Sequence, residues 1–295
     1  MEENEHCYQY EERNYSEPLF HEGIDVTYVI HLEGNGRYQT IVEQLEQYPI
    51  TSRVIILHNQ GFKKCEKSAH IQAPAYDLID AFLQIFKHAY ENDYENILIL
   101  EDDFIFDEKI RSDFHRKNIV EFLRKKSHGE ESFLYYLGCI PWLQIPYDSY
   151  HYRAGFTGGM HSVIYSKKYR EAVMNYEQVD INDWDVLNNM GFIGGRYVYY
   201  TPLCYQLIPV TENSKRWGEG YGIIGHIGGV VVFSITQLFG MDKSVEPGYS
   251  FLYLFSKVLF FLLVFLVSFL LYAWIGRGLF SKRLSKLVIS SRSGK

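Results

Sequence analysis

NILILEDDFIFD, residues 96–107, joins four apolar residues, Ile97 to Leu100, to three successive acids, Glu101, Asp102 and Asp103. An unbroken apolar run suits a strand covered on both faces, which places the acids where the chain leaves the sheet. In an open α/β sheet, ligands bind outside the carboxyl ends of the strands. Three adjacent carboxylates repel one another unless positive charge compensates them, and hard oxygen donors are what Mn²⁺ and Mg²⁺ take. A divalent-metal site at a strand end is therefore expected; an acidic turn is the plainer reading.

The segments before this run predict alternating strands and helices. Asp25 to Leu32 reads as a strand, Gly34-Asn35-Gly36 as a turn, and Tyr38 to Tyr48 as a helix closed by Pro49. Arg53 to Leu57 is a second strand, and Ala75 to Asn92 carries Leu78, Ile79, Phe82, Ile85, Phe86 and Ala89 at helical spacing. This β-α-β-α-β order predicts an α/β fold with a mostly parallel, Rossmann-like sheet flanked by helices. No GxGxxG follows the first strand, so nicotinamide-dinucleotide binding is not expected. Beyond the acids, a basic exposed helix is expected over 109–126, strands over 133–137 and 196–201, and a helix over 167–176.

The chain has 295 residues and a formal charge of −7, unevenly spread. The six basic residues Arg277, Lys282, Arg283, Lys286, Arg292 and Lys295 face no acid in their stretch, so residues 1–275 carry −13. An acidic body argues against nucleic acid as the main partner. Cys7, Cys65, Cys139 and Cys204 form no CxxC pair and are expected as reduced, partly buried thiols. Residues 1–12 have neither a basic start nor an apolar core, so no signal peptide is expected. Val258 to Ile275 is uncharged and, at about 1.5 Å per residue, matches a bilayer's hydrocarbon thickness. Tyr249, Tyr253, Tyr272 and Trp274 flank it as expected interfacial anchors.

The run ILILEDDFIF resembles the acidic motif of nucleotide-sugar glycosyltransferases of the GT-A fold, and its surroundings look most like family 25, the lipopolysaccharide galactosyltransferase-like enzymes. YVIHLEGNGRYQTIVEQL is similar to that family's first strand and helix, GGMHSVIYSKKYREAVM to its small-residue strand and following helix, and YVYYTPLCYQ to its late strand. The likeness covers roughly residues 25–207. It departs at His31-Leu32, where the family has Asn-Leu, and in AHIQAPAYDLIDAF, so donor and acceptor preferences do not carry over. The resemblance implies a GT-A-like domain transferring a hexose from a nucleotide-sugar donor to a saccharide or glycoconjugate acceptor with Mn²⁺ or Mg²⁺. Asp103 would ligate the metal, Glu101 would lie at the metal or toward the ribose or the sugar, and Asp102 would support the donor side. His226 would join as a late histidine near the metal.

Further candidates follow from residue type. In VDINDWDVLNN, Asp183 or Asp185 is a candidate general base for the acceptor hydroxyl and Trp184 a sugar-stacking platform; an N-cap with solvated acids, Asp180 among them, is the alternative. His161 is a candidate donor-site residue, and Gly158 and Gly159 are candidates for the acceptor side. The resemblance to GT-A enzymes implies that Asp25 and Arg37, the latter after the glycine turn, meet the donor's base and diphosphate; surface charge is the alternative. Lys215, Arg216 and Trp217 could close over the diphosphate. The expected organisation is a polar lead-in (1–23), a GT-A-like domain (24–245), a transmembrane helix (249–275) that seats the chain in the lipid bilayer, and a basic tail (276–295), with the domain on the cytoplasmic face. A catalytically inactive membrane-tethered relative and a metal-dependent phosphoryl-transfer enzyme are the competing readings.

Overall fold

Residues 2–178, 181, 183–190, 193–208 and 222–292 are described in the computed structural model of the chain. A short 3-10 turn, Glu2–Cys7, leads into β1 (Tyr8–Asn14), and β2 (Val26–Leu32) follows. The turn after β2 uses Gly34 and Gly36 at φ of 80° and 78°, a region open to glycine at little cost, and delivers the chain into α1 (Tyr38–Gln47). Next come β3 (Arg53–Asn59) and α2 (Pro74–Glu91), which has Pro74 in its first turn, Asp77 near the positive end of its dipole and His88 near the negative end. Then follow β4 (Asn96–Glu101), β5 (Phe104–Phe106), α3 (Asp113–His128) and β6 (Phe133–Tyr136). The chain continues through β7 (Ile140–Pro146), β8 (His151–Gly158), β9 (Ser162–Ser166) and α4 (Lys167–Met174). The last elements are α5 (Trp184–Met190), β10 (Gly195–Tyr199), β11 (Cys204–Gln206), α6 (Gly222–Leu238) and α7 (Gly248–Arg292).

Among the described residues, nine strands form one sheet in the order β1-β3-β2-β4-β9-β6-β10-β8-β7, and β11 pairs with β5 alone. Strands β3, β2, β4, β6, β10 and β7 run one way, while β1, β9 and β8 oppose them. The α/β architecture expected from the sequence, a mainly one-way sheet between helices with an apolar C-terminal helix, is what the chain adopts. Strand β4 lies inside the sheet as its apolar run requires: Ile97 and Ile99 pack with α2 residues on one face, and Leu98 and Leu100 with α1 and α3 residues on the other. All four are 0% exposed, and each such side chain contributes about 1.5–3 kcal/mol of burial free energy.

Three expectations are corrected. Residues 8–14, read as part of a polar lead-in, form an edge strand paired antiparallel with β3 from Tyr8↔Asn59 to Asn14↔Arg53. That pairing carries Cys7 beside the segment after β3, where it forms a disulfide with Cys65 across a Cα separation of 5.8 Å; these two are not reduced thiols. Cys139 and Cys204 are free and buried, as expected. Tyr249 and Tyr253, read as interfacial anchors, are 0% and 3% exposed and pack in the domain core. Tyr272 and Trp274 are 77% and 75% exposed.

Helix α7 thus begins inside the domain and continues outward without a break. Among the described residues one stretch, Gly248–Ile275, is long and apolar enough to cross a membrane, with a mean hydropathy of 2.8 and none of its most apolar window buried.

Candidate acidic functional site

Register brings the site together. Strands β2 and β4 are parallel neighbours with Ile30 opposite Glu101, so the turn after β2 and the acids after β4 emerge side by side. Antiparallel β9 begins beside the same end, with Ser162 opposite Leu100, and this sets residues 158–161 against the acids. The Glu101 N–H donates to the His161 carbonyl at 3.2 Å.

Arg37 reaches Asp102 Oδ1 at 2.5 Å and Asp103 Oδ2 at 3.1 Å through one guanidinium nitrogen. The Asn35 side chain donates to Asp102 Oδ2, and its carbonyl oxygen accepts from the Arg37 N–H at 2.9 Å. Asn35 was not singled out from the sequence; the signal available was its place between two glycines in a turn facing the strand end. Asp103 accepts from Gln206 Nε2, 2.9 Å from each carboxylate oxygen. Gln206 arrives on β11, which passes so close to Gly138 that a Cβ there would lie 1.7 Å from the Cys204 carbonyl oxygen.

Electrostatics set this centre apart. Burial, then the charges of Asp103, Asp185 and Asp102, push Glu101 well above the usual carboxylate range, with Arg37 opposing. Burial also raises Asp103 against the pull of Gln206 and Arg37. Asp185 is pushed up to about 7 by burial and by the neighbouring charge of Asp183, with the Gly159 N–H opposing. Its Oδ1 is shut off from solvent with no hydrogen-bond partner, a costly state for a charged oxygen. Three further carboxylates thus bear on Glu101, and among the described residues Arg37 is the guanidinium ion-paired with two of them.

The other expected site residues divide. Asp183 accepts from the Val186 N–H at 2.9 Å and so caps α5, the role weighed as its alternative. Trp184 is 5% exposed, stacked on Phe82 at 4.5 Å between ring centroids, and donates to Tyr165 at 3.1 Å. It is a core residue, not a sugar platform. His161 is 0% exposed, with Nε2 3.3 Å from the Cys204 carbonyl, and burial lowers it to about 4. It packs beneath the acids, closed to a donor arriving from solvent.

A Cβ at Gly158 would meet nothing within 4 Å, and one at Gly159 would lie 3.7 Å from Gln206 Oε1, which sets Gly159 beside the Asp103 partner. Asp25 accepts from the Glu95 N–H at 2.6 Å, just before β2 and at the opposite end of the sheet from the acids, and has no place in the site. Asp180, Lys215, Arg216 and Trp217 lie outside the described residues, and of His226 only the backbone, within α6, is described.

The side chains gathered here are carboxylates, the oxygen donors that hard divalent cations take. Among the described residues the group that places three ligand atoms within 4.8 Å of one another is His6, Cys7 and Cys65, whose sulfurs are joined to each other. The acids stand wider, with Arg37 between Asp102 and Asp103.

No protein-family model and no curated protein matches the sequence, so the resemblance to family 25 is not supported. Solved structures similar to the chain include a glycosyltransferase involved in the glycosylation of the major capsid of PBCV-1, at 11% identity over 65% of this chain and 97% of that one, with a TM-score of 0.38. Protein A197 from STIV matches at 12% identity over 63% of this chain and 86% of its own, with a TM-score of 0.35. An apo UDP-glucose pyrophosphorylase matches at 8% identity over 62% and 76%, with a TM-score of 0.31.

Proposed function

We propose that the chain is a metal-dependent glycosyltransferase that moves a hexose from a nucleotide diphosphate sugar to a hydroxyl of a saccharide or glycoconjugate. One observation carries the reading: Asp102, Asp103 and Asp185 all bear on the buried Glu101 at the carboxyl end of a central strand, and among the described residues Arg37 is the cation ion-paired with this group. Asp103 and Glu101 would hold Mn²⁺ or Mg²⁺, which supplies neutralisation of the charge on a departing nucleoside diphosphate. Arg37, 40% exposed at its side chain, faces the cleft as an anion partner for that diphosphate. Asp185, poised near neutrality, is matched to accept the proton of an acceptor hydroxyl. The open space beside Gly158 gives such an acceptor room.

The test is release of nucleoside diphosphate from a panel of sugar nucleotides by the full chain with Mn²⁺, compared with Asp103→Asn. Turnover lost in the variant supports the reading. A folded chain that neither binds nor hydrolyses any sugar nucleotide removes it.

The apolar helix supports single-pass attachment to a membrane. The Cys7–Cys65 disulfide belongs with an oxidising compartment, and the basic residues after the span favour a cytoplasmic tail. We infer from both that the domain faces away from the cytosol, the reverse of the sequence expectation. Digestion of the domain by protease added to the cytosolic side of sealed vesicles would overturn this.

A further inference from the structure

Asp103 is held from two sides. Arg37 touches Oδ2, while the amide nitrogen of Gln206 lies 2.9 Å from both oxygens, a three-centre contact in which one N–H is shared between them. Gln206 pairs with Phe104 in the β11–β5 ladder, so the residue that grips Asp103 sits opposite its chain neighbour. Gln206 is itself gripped by α7: its backbone N–H donates to the Tyr249 hydroxyl at 3.2 Å, and that hydroxyl donates to the Gln206 carbonyl at 3.3 Å. Next door, the Tyr205 hydroxyl lies 2.6 Å from Asp107 Oδ2 and 2.9 Å from Glu246 Oε1, tying the segment before α7 to the loop after β5.

We propose that Gln206 is the positioning residue for Asp103 and that Tyr249, in the first turn of the membrane helix, locks it in place. The anchor is then part of the acidic centre as well as a tether. The inference rests on Asp103 being a cation ligand. Groups behind a metal ligand fix its orientation, and losing one typically costs about 10–100-fold in metal affinity. An apolar side chain at 206 would leave Arg37 as the side-chain partner of Asp103 among the described residues, free to draw the carboxylate toward its guanidinium and away from a cation.

The experiment is Mn²⁺ binding by the full-length protein in detergent, followed by the electron paramagnetic resonance signal of free Mn²⁺, with thermal melting as the fold control. The wild type is expected to bind and Asp103→Asn to lose binding. Gln206→Leu is expected to weaken binding about 10–100-fold at a near-unchanged melting temperature. Tyr249→Phe, which keeps the buried ring and removes the hydroxyl, is expected to weaken it by a smaller factor. Wild-type affinity in a folded Gln206→Leu protein, with binding lost in Asp103→Asn, overturns this inference alone. Absence of Mn²⁺ binding by the wild type overturns it together with the proposed function. If Gln206→Leu does not fold, Tyr249→Phe decides, and unchanged affinity there overturns the lock.

Discussion

Two clusters of carboxylates flank the same sheet, and they are balanced in opposite ways. On α2, Asp77 and Asp80 are 5% and 0% exposed, yet each is met. Lys67 Nζ, itself buried, lies 2.5 Å from Asp77 and 3.7 Å from Asp80; Tyr8, Asn4 and Gln178 donate to Asp80, and the Phe62 N–H donates to Asp77. At the end of β4, among the described residues, one half-exposed guanidinium is ion-paired with two of four acids, and Glu101, Asp103 and Asp185 are all raised. Burial of charge is common to both clusters. Among the described residues the first cluster is matched by a buried ammonium, whereas the second has raised acids beside a partly exposed guanidinium, and that difference is what the proposed function builds on.

The contrast predicts opposite outcomes for one kind of substitution. Asp185→Asn removes a repelling charge and the candidate base together: sugar-nucleotide transfer should fall by about 10²-fold or more, while the melting temperature of the metal-free chain holds or rises. A steep loss of stability with activity retained would put Asp185 in the first kind of cluster. Lys67→Met should do the reverse, leaving two buried acids unpaired at a cost of about 3–5 kcal/mol in chemical denaturation. Turnover per folded molecule should then stay at the wild-type level.

Removing the clamp beside that network, with Cys7→Ser and Cys65→Ser together, should cost about 2–4 kcal/mol, read as a lowered denaturation midpoint with a steeper slope, since the unbridged unfolded chain exposes more surface. His151 tests the balance on a smaller scale. Burial lowers it despite Asp148 at 2.8 Å, so its neutral form is the one the fold favours. Stability from this group is fully present above the unfolded value near 6.5 and is lost as pH falls below it. The raised carboxyls act in the opposite direction over the same range, so the measurement is a difference: as pH falls from 7.5 to 5, the melting temperature of wild type should drop relative to that of His151→Phe, which keeps the stacking on Phe122.

How much of this was legible depended on how far apart in the chain the partners lie. The first three strands of the β-α-β-α-β half and α2 could be read because apolar spacing is local, and the acids because they end an apolar run. Arg37 was legible from its turn. Gln206 was not, since nothing near it in sequence shows that β11 pairs with β5 and meets Asp103. Trp184 was misjudged because an aromatic between two acids reads as exposed, whereas its ring is covered by Phe82 of α2, a hundred residues earlier. Tyr249 and Tyr253 suit a membrane interface by type, and only tertiary packing shows them inside the domain. The disulfide was hidden for the same reason, its cysteines being 58 residues apart and joined by an edge strand whose sequence, YQYEERN, carries too few apolar residues to announce itself.

That edge strand has one more effect. A membrane helix confines copies of a protein to a plane, where their sheets meet far more often than in solution, and an open strand edge then invites one sheet to continue into the next. Here β1 offers Glu11, Glu12 and Arg13 along one margin, while β7 at the other begins and ends near Pro141 and Pro146 and is packed against α7. Neither margin is a template for another strand. Copies of the molecule held close together are not led to polymerise through the sheet.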